Sequence, residues 1–217
     1  MIDKTQTKVV IGLAAVVWFC VALLSNGPLP QVALKSFSIA GTVATILVLA
    51  YDKFIWKWKF VRAVTGKPLV AGTWRGTLQS DFIRPGETEK IPPMPTVIRV
   101  KQTNSQLWVT LFTATSSSVT EQGKVFKESD DRWRMSFIYM NTPRQSEAHN
   151  MARHQGVCDL HLSGADGEAL TGQYFTSRKT TGEMRFTEWS KHSFGDAQSA
   201  LESTDFKAHK PFVRWFS

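Results

Sequence analysis

Beyond residue 70 the chain alternates. Trp74, Gly76 and Leu78 share one parity against Arg75, Thr77 and Gln79, and Ile98 and Val100 stand against Arg99 and Lys101. Cys158, Leu160 and Leu162 oppose Asp159 and His161, and Leu170, Gly172, Tyr174 and Thr176 share a parity of their own. A period of two belongs to a strand with one buried face. Eight segments rich in β-branched and aromatic residues read as strands: 71–82, 96–103, 106–116, 118–127, 133–140, 157–163, 169–178 and 183–192. Asn104-Ser105, Gly164-Ala165-Asp166-Gly167 and Thr181-Gly182 are turn signals between them. Two longer gaps, 84–95 with Pro85, Pro92, Pro93 and Pro95, and 141–156 with Pro143, read as loops. With one apolar face per strand and no helical pattern between strands, the sheet closes on itself. The expected fold is an all-β, eight-stranded antiparallel up-and-down β-barrel, with an interior that is either filled or holds one small ligand. Residues 196–203 predict a short helix with Asp196 near its start. The tail ends in Phe212, Trp215 and Phe216, which pack back on the barrel or touch lipid.

The first part of the chain is of another kind. No charge occurs from Val9 to Leu34. Residues 9–24 are almost wholly apolar, and residues 36–51 are uncharged between Lys35 and Asp52. The turn segment Ser25-Asn26-Gly27-Pro28-Leu29-Pro30 separates the two blocks. The expected structure is an N-terminal two-helix transmembrane hairpin. A cleaved signal peptide is the rival for the first block, but no clear small-residue cleavage site follows Leu24. Lys4 and Lys8 before the first block, and Lys53, Lys57, Lys59, Arg62 and Lys67 after the second, place both termini in the cytoplasm by the positive-inside rule. The expected placement is multi-pass in a membrane. Ala40, Gly41 and Ala44 give the second block a small-residue face, suited to oligomerisation in the membrane or to packing on the first helix of the same chain. Phe54-Ile55-Trp56-Lys57-Trp58-Lys59-Phe60-Val61-Arg62 reads as an interfacial belt. The expected domains are 1–65, the hairpin with its basic-aromatic segment, and 66–217, a cytosolic barrel joined at Thr65-Gly66-Lys67-Pro68.

Searching for chemistry yields little that is catalytic. There is no glycine-rich phosphate loop and no nucleophile elbow. Cys158 and His161 have metal-like spacing, yet on a strand they face opposite sides. His149 and His154 lack a defined third ligand. With two cysteines in the chain, a disulfide scaffold is excluded. No enzyme, metal or cofactor is expected. Binding signals are stronger. The net charge is +8, and residues 1–51 contribute only Lys4, Lys8 and Lys35 against Asp3. A basic domain favours an anionic partner: a lipid headgroup, nucleic acid or a phosphorylated small molecule. Tyr174, Thr176 and Arg178 would line one strand face from middle to rim. Taken alone, that pattern equally describes a core Tyr, a filler Thr and a solvated Arg; Trp74 and Trp108 are similarly either core residues or ligand platforms.

Gly72-Thr73-Trp74-Arg75-Gly76, His154-Gln155-Gly156, the run from Leu170 to Arg178 and Thr181-Gly182-Glu183-Met184, behind two apolar N-terminal blocks, together resemble the two-transmembrane, β-strand-rich effectors of bacterial CBASS anti-phage systems, the SMODS-associating family. The resemblance implies a barrel that senses a cyclic dinucleotide made by a partner nucleotidyltransferase, then self-association, inner-membrane disruption and abortive-infection cell death. On this expectation Arg178 and Arg99 neutralise phosphates, Tyr174, Trp74 or Trp108 stacks a base, and Thr176 supplies a hydrogen bond. Inner-membrane lipid and a homo-oligomer are the other expected partners, and a nucleic-acid polymer is not. The rival readings are a membrane-tethered carrier of a lipid or fatty acid, a passive anchor with a solid barrel, and a lipid-acting enzyme.

Overall fold

A computed structural model describes residues 4–24, 29–83, 86–147, 149, 152–164 and 167–212, with the side chains of residues 4–10, 13 and 29–38 set aside. The chain divides into two compact units, Met1–Val61 and Arg62–Ser217.

In the first unit α1 (Lys4–Leu24) packs against α2 (Leu29–Lys53). The expected turn at residues 25–28 lies outside the described residues. The two helices are present, but their expected role is corrected: among the described residues no helix is long and apolar enough to cross a membrane. Residues 9–24 and 36–51, at 1.5 Å rise per residue, each extend only about 24 Å, against a hydrocarbon core of roughly 30 Å. The transmembrane hairpin and the multi-pass inner-membrane placement are therefore not upheld. Ala40 and Ala44 are buried and Gly41 is exposed. The Thr45 hydroxyl donates to the Gly41 carbonyl oxygen at 2.8 Å.

The second unit begins in α3 (Lys59–Thr65) and is built on eight strands: β1 Gly72–Ser80, β2 Met94–Gln102, β3 Leu107–Phe112, β4 Ser116–Lys127, β5 Trp133–Pro143, β6 His154–Ser163, β7 Ala169–Thr176 and β8 Thr181–Ser190. Each pairs antiparallel with its neighbour in sequence, and β8 returns to β1, so the sheet closes as a barrel. Register shifts at Arg75/Gly76 and Thr120/Gln122 bend β1 and β4 into the curve. The alternation seen in the sequence is the inside and outside of this barrel. Trp74, Ile98, Leu107, Leu160, Leu170 and Phe186 are almost wholly buried within it. Outside, α4 (Ala197–Glu202) starts at Asp196, whose carboxylate accepts from the Ser199 N–H at 2.8 Å. It covers β1 and β2, which buries Val97 on an outward position.

The barrel has two unlike ends. At the end where β1 begins, residues 68–71 are laced across the opening. Gln102 accepts from the Val70 N–H at 2.9 Å and donates to the Pro68 carbonyl at 3.1 Å. The Trp74 and Trp189 indoles donate to the Val70 and Ala71 carbonyls at 2.9 and 3.1 Å. His209 Nε2 donates to the Leu69 carbonyl at 2.7 Å, and the Leu69 N–H donates to that of Pro211 at 3.0 Å. The His209 ring stacks on Trp189 (centroids 4.0 Å apart) and meets Trp74 edge-on at 5.1 Å. Phe212 lies against Gly167, so the tail turns back onto the barrel; Trp215 and Phe216 lie outside the described residues.

Burial of His209 pushes its pKa below the ordinary histidine value, with nearby Arg62 and Lys207 acting in the same direction. A depressed folded-state pKa means that the unfolded chain takes the proton first. Stability at this site is then complete above about pH 6.5 and falls as the pH drops below it. Thermal melts between pH 7.5 and about 5.5 should show the midpoint decreasing with pH, and His209→Gln should flatten that slope. An unchanged slope in the variant would remove His209 from the pH response.

Candidate receptor site at the polar barrel end

At the opposite end the inward positions change chemistry. Ser80, Thr96, Ser116, Ser118 and Asn141 are all buried there. They cap an apolar plug, and the register makes them neighbours: Ser118 pairs with Asn141, and Ser80 with Gly182. Two tyrosines complete the layer. Tyr139 on β5 lies across Gly156 of β6, where a Cβ would come within 2.4 Å of its ring. Tyr174 on β7 lies across Gly182 of β8, where a Cβ would fall 2.5 Å from its ring. The two glycines make room for flat aromatic rings on the lumen wall. Tyr174 is hydrogen-bonded to Ser80, and burial raises the pKa of both phenols.

The rim above is held in place. β7 and β8 join through a tight turn in which the Thr176 N–H donates to the Thr180 carbonyl and the Lys179 N–H to that of Thr176, both at 3.0 Å. Lys179 takes a left-handed backbone (φ 60°) to make this turn. Thr176 and Thr180 hydroxyls lie 2.7 Å apart. Asp81 ties the turn to the β1–β2 loop. Its carboxylate accepts from the Thr181 N–H at 2.7 Å and from the Thr181 hydroxyl at 2.6 Å, and the hydroxyl contact chiefly lowers its pKa. Arg178 and Lys179 stand exposed at the tip. A cleft of about 330 Å³ lies beside it on the outer wall, lined by Gln79, Asp81, Lys90, Gln173, Phe175 and Glu183.

The six ligand residues expected from the sequence do not converge. Tyr174 is in the polar layer, Thr176 ends β7, and Arg178 is past the strand, in the turn. Trp74 is fully buried at the laced end, its N–H spent on Val70. Arg99 and Trp108 are on the outer wall. Arg99 donates to the Phe194 carbonyl at 3.1 Å and lies over the Phe112 ring, and Trp108 is 43% exposed. Cys158 is buried in the lumen, its thiol pKa raised by that burial, while His161 lies on the outer wall 3.3 Å from Glu128. Among the described residues no cluster of three His, Cys, Asp or Glu is placed to hold a metal. Sequence reasoning missed Tyr139, Asn141, Ser116 and Ser118. Their signal was the continuing parity of Met135, Phe137, Tyr139 and Asn141, which turns polar at its end.

A closed antiparallel barrel, sealed at one end and lined with polar and aromatic groups at the other, is a small-ligand receptor in form. The chain belongs to the Cap15 cyclic dinucleotide receptor family: that family's description, "Cap15, cyclic dinucleotide receptor domain", matches residues 65–188. The chain is also similar to CD-NTase-associated protein 15 of Staphylococcus schleiferi, 24% identical over 189 residues, covering 85% of this chain and 97% of that protein. At this level the CBASS resemblance and the cyclic dinucleotide ligand are upheld; two transmembrane spans are not.

Because burial is the main cause of the raised Tyr139 pKa, this phenol should resist ionisation until the barrel opens. Alkaline titration of phenolate absorbance should show a late step coincident with unfolding, and Tyr139→Phe should diminish it. Ionisation of all tyrosines near the ordinary pKa, about 10, in folded protein would contradict the burial of this ring.

Proposed function

We propose that the protein is an anti-phage effector whose polar barrel end binds a cyclic dinucleotide made by an associated nucleotidyltransferase, and that binding drives self-association. The observation that carries this is the polar and aromatic layer above a packed lumen, within the residues matched by the receptor family. Tyr139 and Tyr174 offer aromatic surfaces to bases, Thr176 a hydroxyl, and Arg178 and Lys179 positive charge for the phosphates. Arg99, Trp108 and Trp74 take no part, since two are outside the barrel and one is sealed at its far end. The protein binds and does not turn over its ligand. The ligand can promote assembly only by binding the associated state more tightly. Exposed apolar side chains on the helices, among them Phe19, Leu23 and Leu24, supply surface for that assembly and for the membrane disruption that ends the response.

A lipid or fatty-acid carrier is disfavoured by the same lumen. Side chains such as Phe137, Leu160 and Met135, each 2% exposed or less, occupy the bore an acyl chain would need.

The test is thermal stabilisation of the full chain by cyclic di-AMP, cyclic di-GMP and cyclic GMP–AMP. At a hundredfold excess over Kd, binding adds about 2.7 kcal/mol, which for a chain of this size raises Tm by roughly 5–10 °C. Arg178→Glu should lose most of that shift while keeping the unliganded Tm. A full shift in the variant would sink the role of the turn, and no shift with any cyclic dinucleotide would sink the site.

A further inference from the structure

Asn141 is 93% buried, its relative exposure being 7%, at an inward position of the polar layer. Its amide nitrogen donates to the Ser116 and Ser118 hydroxyl oxygens, both at 2.9 Å. Ser116 is itself braced by the Thr113 hydroxyl at 3.1 Å. These contacts fix the amide plane and consume its donors. The carbonyl oxygen, Oδ1, is buried and has no hydrogen-bond partner. A buried acceptor left empty carries its full desolvation cost, and such groups in native proteins call for an explanation.

A cyclic dinucleotide would supply the missing donor. Its phosphates are acceptors and would be repelled by a carbonyl oxygen. Its donors are the base N–H groups and the ribose hydroxyls. Tyr139 lies two residues before Asn141 on the same strand and face, so a base laid on that ring brings its edge toward the amide. Resting on the binding reading above, we propose that Asn141 is a specificity residue: its Oδ1 accepts from the exocyclic amino group of one purine base, with Ser116 and Ser118 holding it in that orientation. The ligand class is thereby narrowed to cyclic dinucleotides that carry at least one amino-bearing purine.

The test is calorimetric binding to the full chain of cyclic di-AMP, cyclic di-GMP and cyclic GMP–AMP, each against its counterpart lacking the amino groups, with purine riboside for adenosine and inosine for guanosine. Unaltered protein should prefer the amino-bearing form of its best ligand by about tenfold or more. Asn141→Leu should bind the two forms alike, with little loss toward the amino-free one. Asn141→Ser, which is smaller and polar, should do the same and covers the case in which the leucine variant fails to fold. Equal binding of both forms by unaltered protein overturns the inference and leaves the site standing; that comparison needs no variant. A uniform loss for both forms in the variants also overturns it, by showing a structural role. A penalty confined to 2′-deoxy analogues assigns Oδ1 to a ribose hydroxyl instead and overturns it too. If unaltered protein binds none of the cyclic dinucleotides, the site reading itself fails, and this inference with it.

Discussion

Lacing of residues 68–71 across one end decides what the rest of the barrel can do. A strand-free segment crossing a barrel mouth exposes backbone groups that must find partners or lose about 1–3 kcal/mol each when buried. Here each carbonyl from Pro68 to Ala71 meets a side-chain donor: Gln102, His209, Trp74 and Trp189 in turn. Donors come from β1, β2, β8 and the C-terminal tail. The seal therefore forms only when the chain's late segments have folded back on its early ones. It spends the two indole N–H groups and leaves Trp74 wholly buried. With this end laced shut and the bore filled by side chains such as Phe137 and Met135, a ligand can meet the barrel only at its opposite end or on its outer wall.

Polarity along the bore follows from that asymmetry. Near the seal the inward positions are apolar apart from Gln102, whose amide is spent on the lacing. Toward the opposite end the buried polar groups find local partners. Thr120 exchanges two hydrogen bonds with the Val109 backbone at 2.9 Å, Tyr174 finds Ser80, and Asn141 is held by two serines. These groups share one rim with a turn that Asp81 and Thr181 fix in place. A receptor whose polar groups are ordered before the ligand arrives loses less conformational entropy on binding. Glycine serves the same end at Gly156 and Gly182, where the missing Cβ lets a neighbouring tyrosine lie flat.

Much of this was legible in the sequence. All eight expected strands overlap observed ones, because period-two alternation survives wherever one face is buried. The failures fall at element ends. The fifth segment was drawn to Met140, whereas β5 runs to Pro143. Those few residues removed Asn141 from the lumen and placed it in a loop. Likewise residues 169–178 included Arg178 in a strand that ends at Thr176. An apolar-to-polar change along one parity reads as a strand end, yet in a barrel laced shut at one end it also marks the other. Trp74 and Trp108 could not be ranked by identity alone, since alternation says only that they differ in face. The N-terminal blocks misled for a different reason. Lack of charge was read as a span, while length and apolarity together do not reach one in the described helices.

Net charge was an equally indirect guide. Most of the arginines whose contacts can be followed serve the outer wall. Arg75 pairs with Glu188 at 2.5 Å, stacks on Phe206 and donates to the Leu201 carbonyl. Arg134 bridges Glu128 and Asp159 at 2.9 and 2.5 Å. Arg99 anchors Phe194. Partly exposed pairs of this kind contribute at most about 1 kcal/mol each, but Arg75 and Arg99 also hold α4 and the segment after β8 against the wall. On the proposed reading the charge that meets a phosphate is instead local: Arg178 and Lys179, adjacent and exposed in the β7–β8 turn. Two cations adjacent in one turn could then meet a ligand of two phosphates; a surplus spread over the barrel wall could not, because exposed charges more than about 10 Å from the ligand are largely screened. On the proposed reading it is position, set by the β7–β8 turn, and not net composition that makes an anion site.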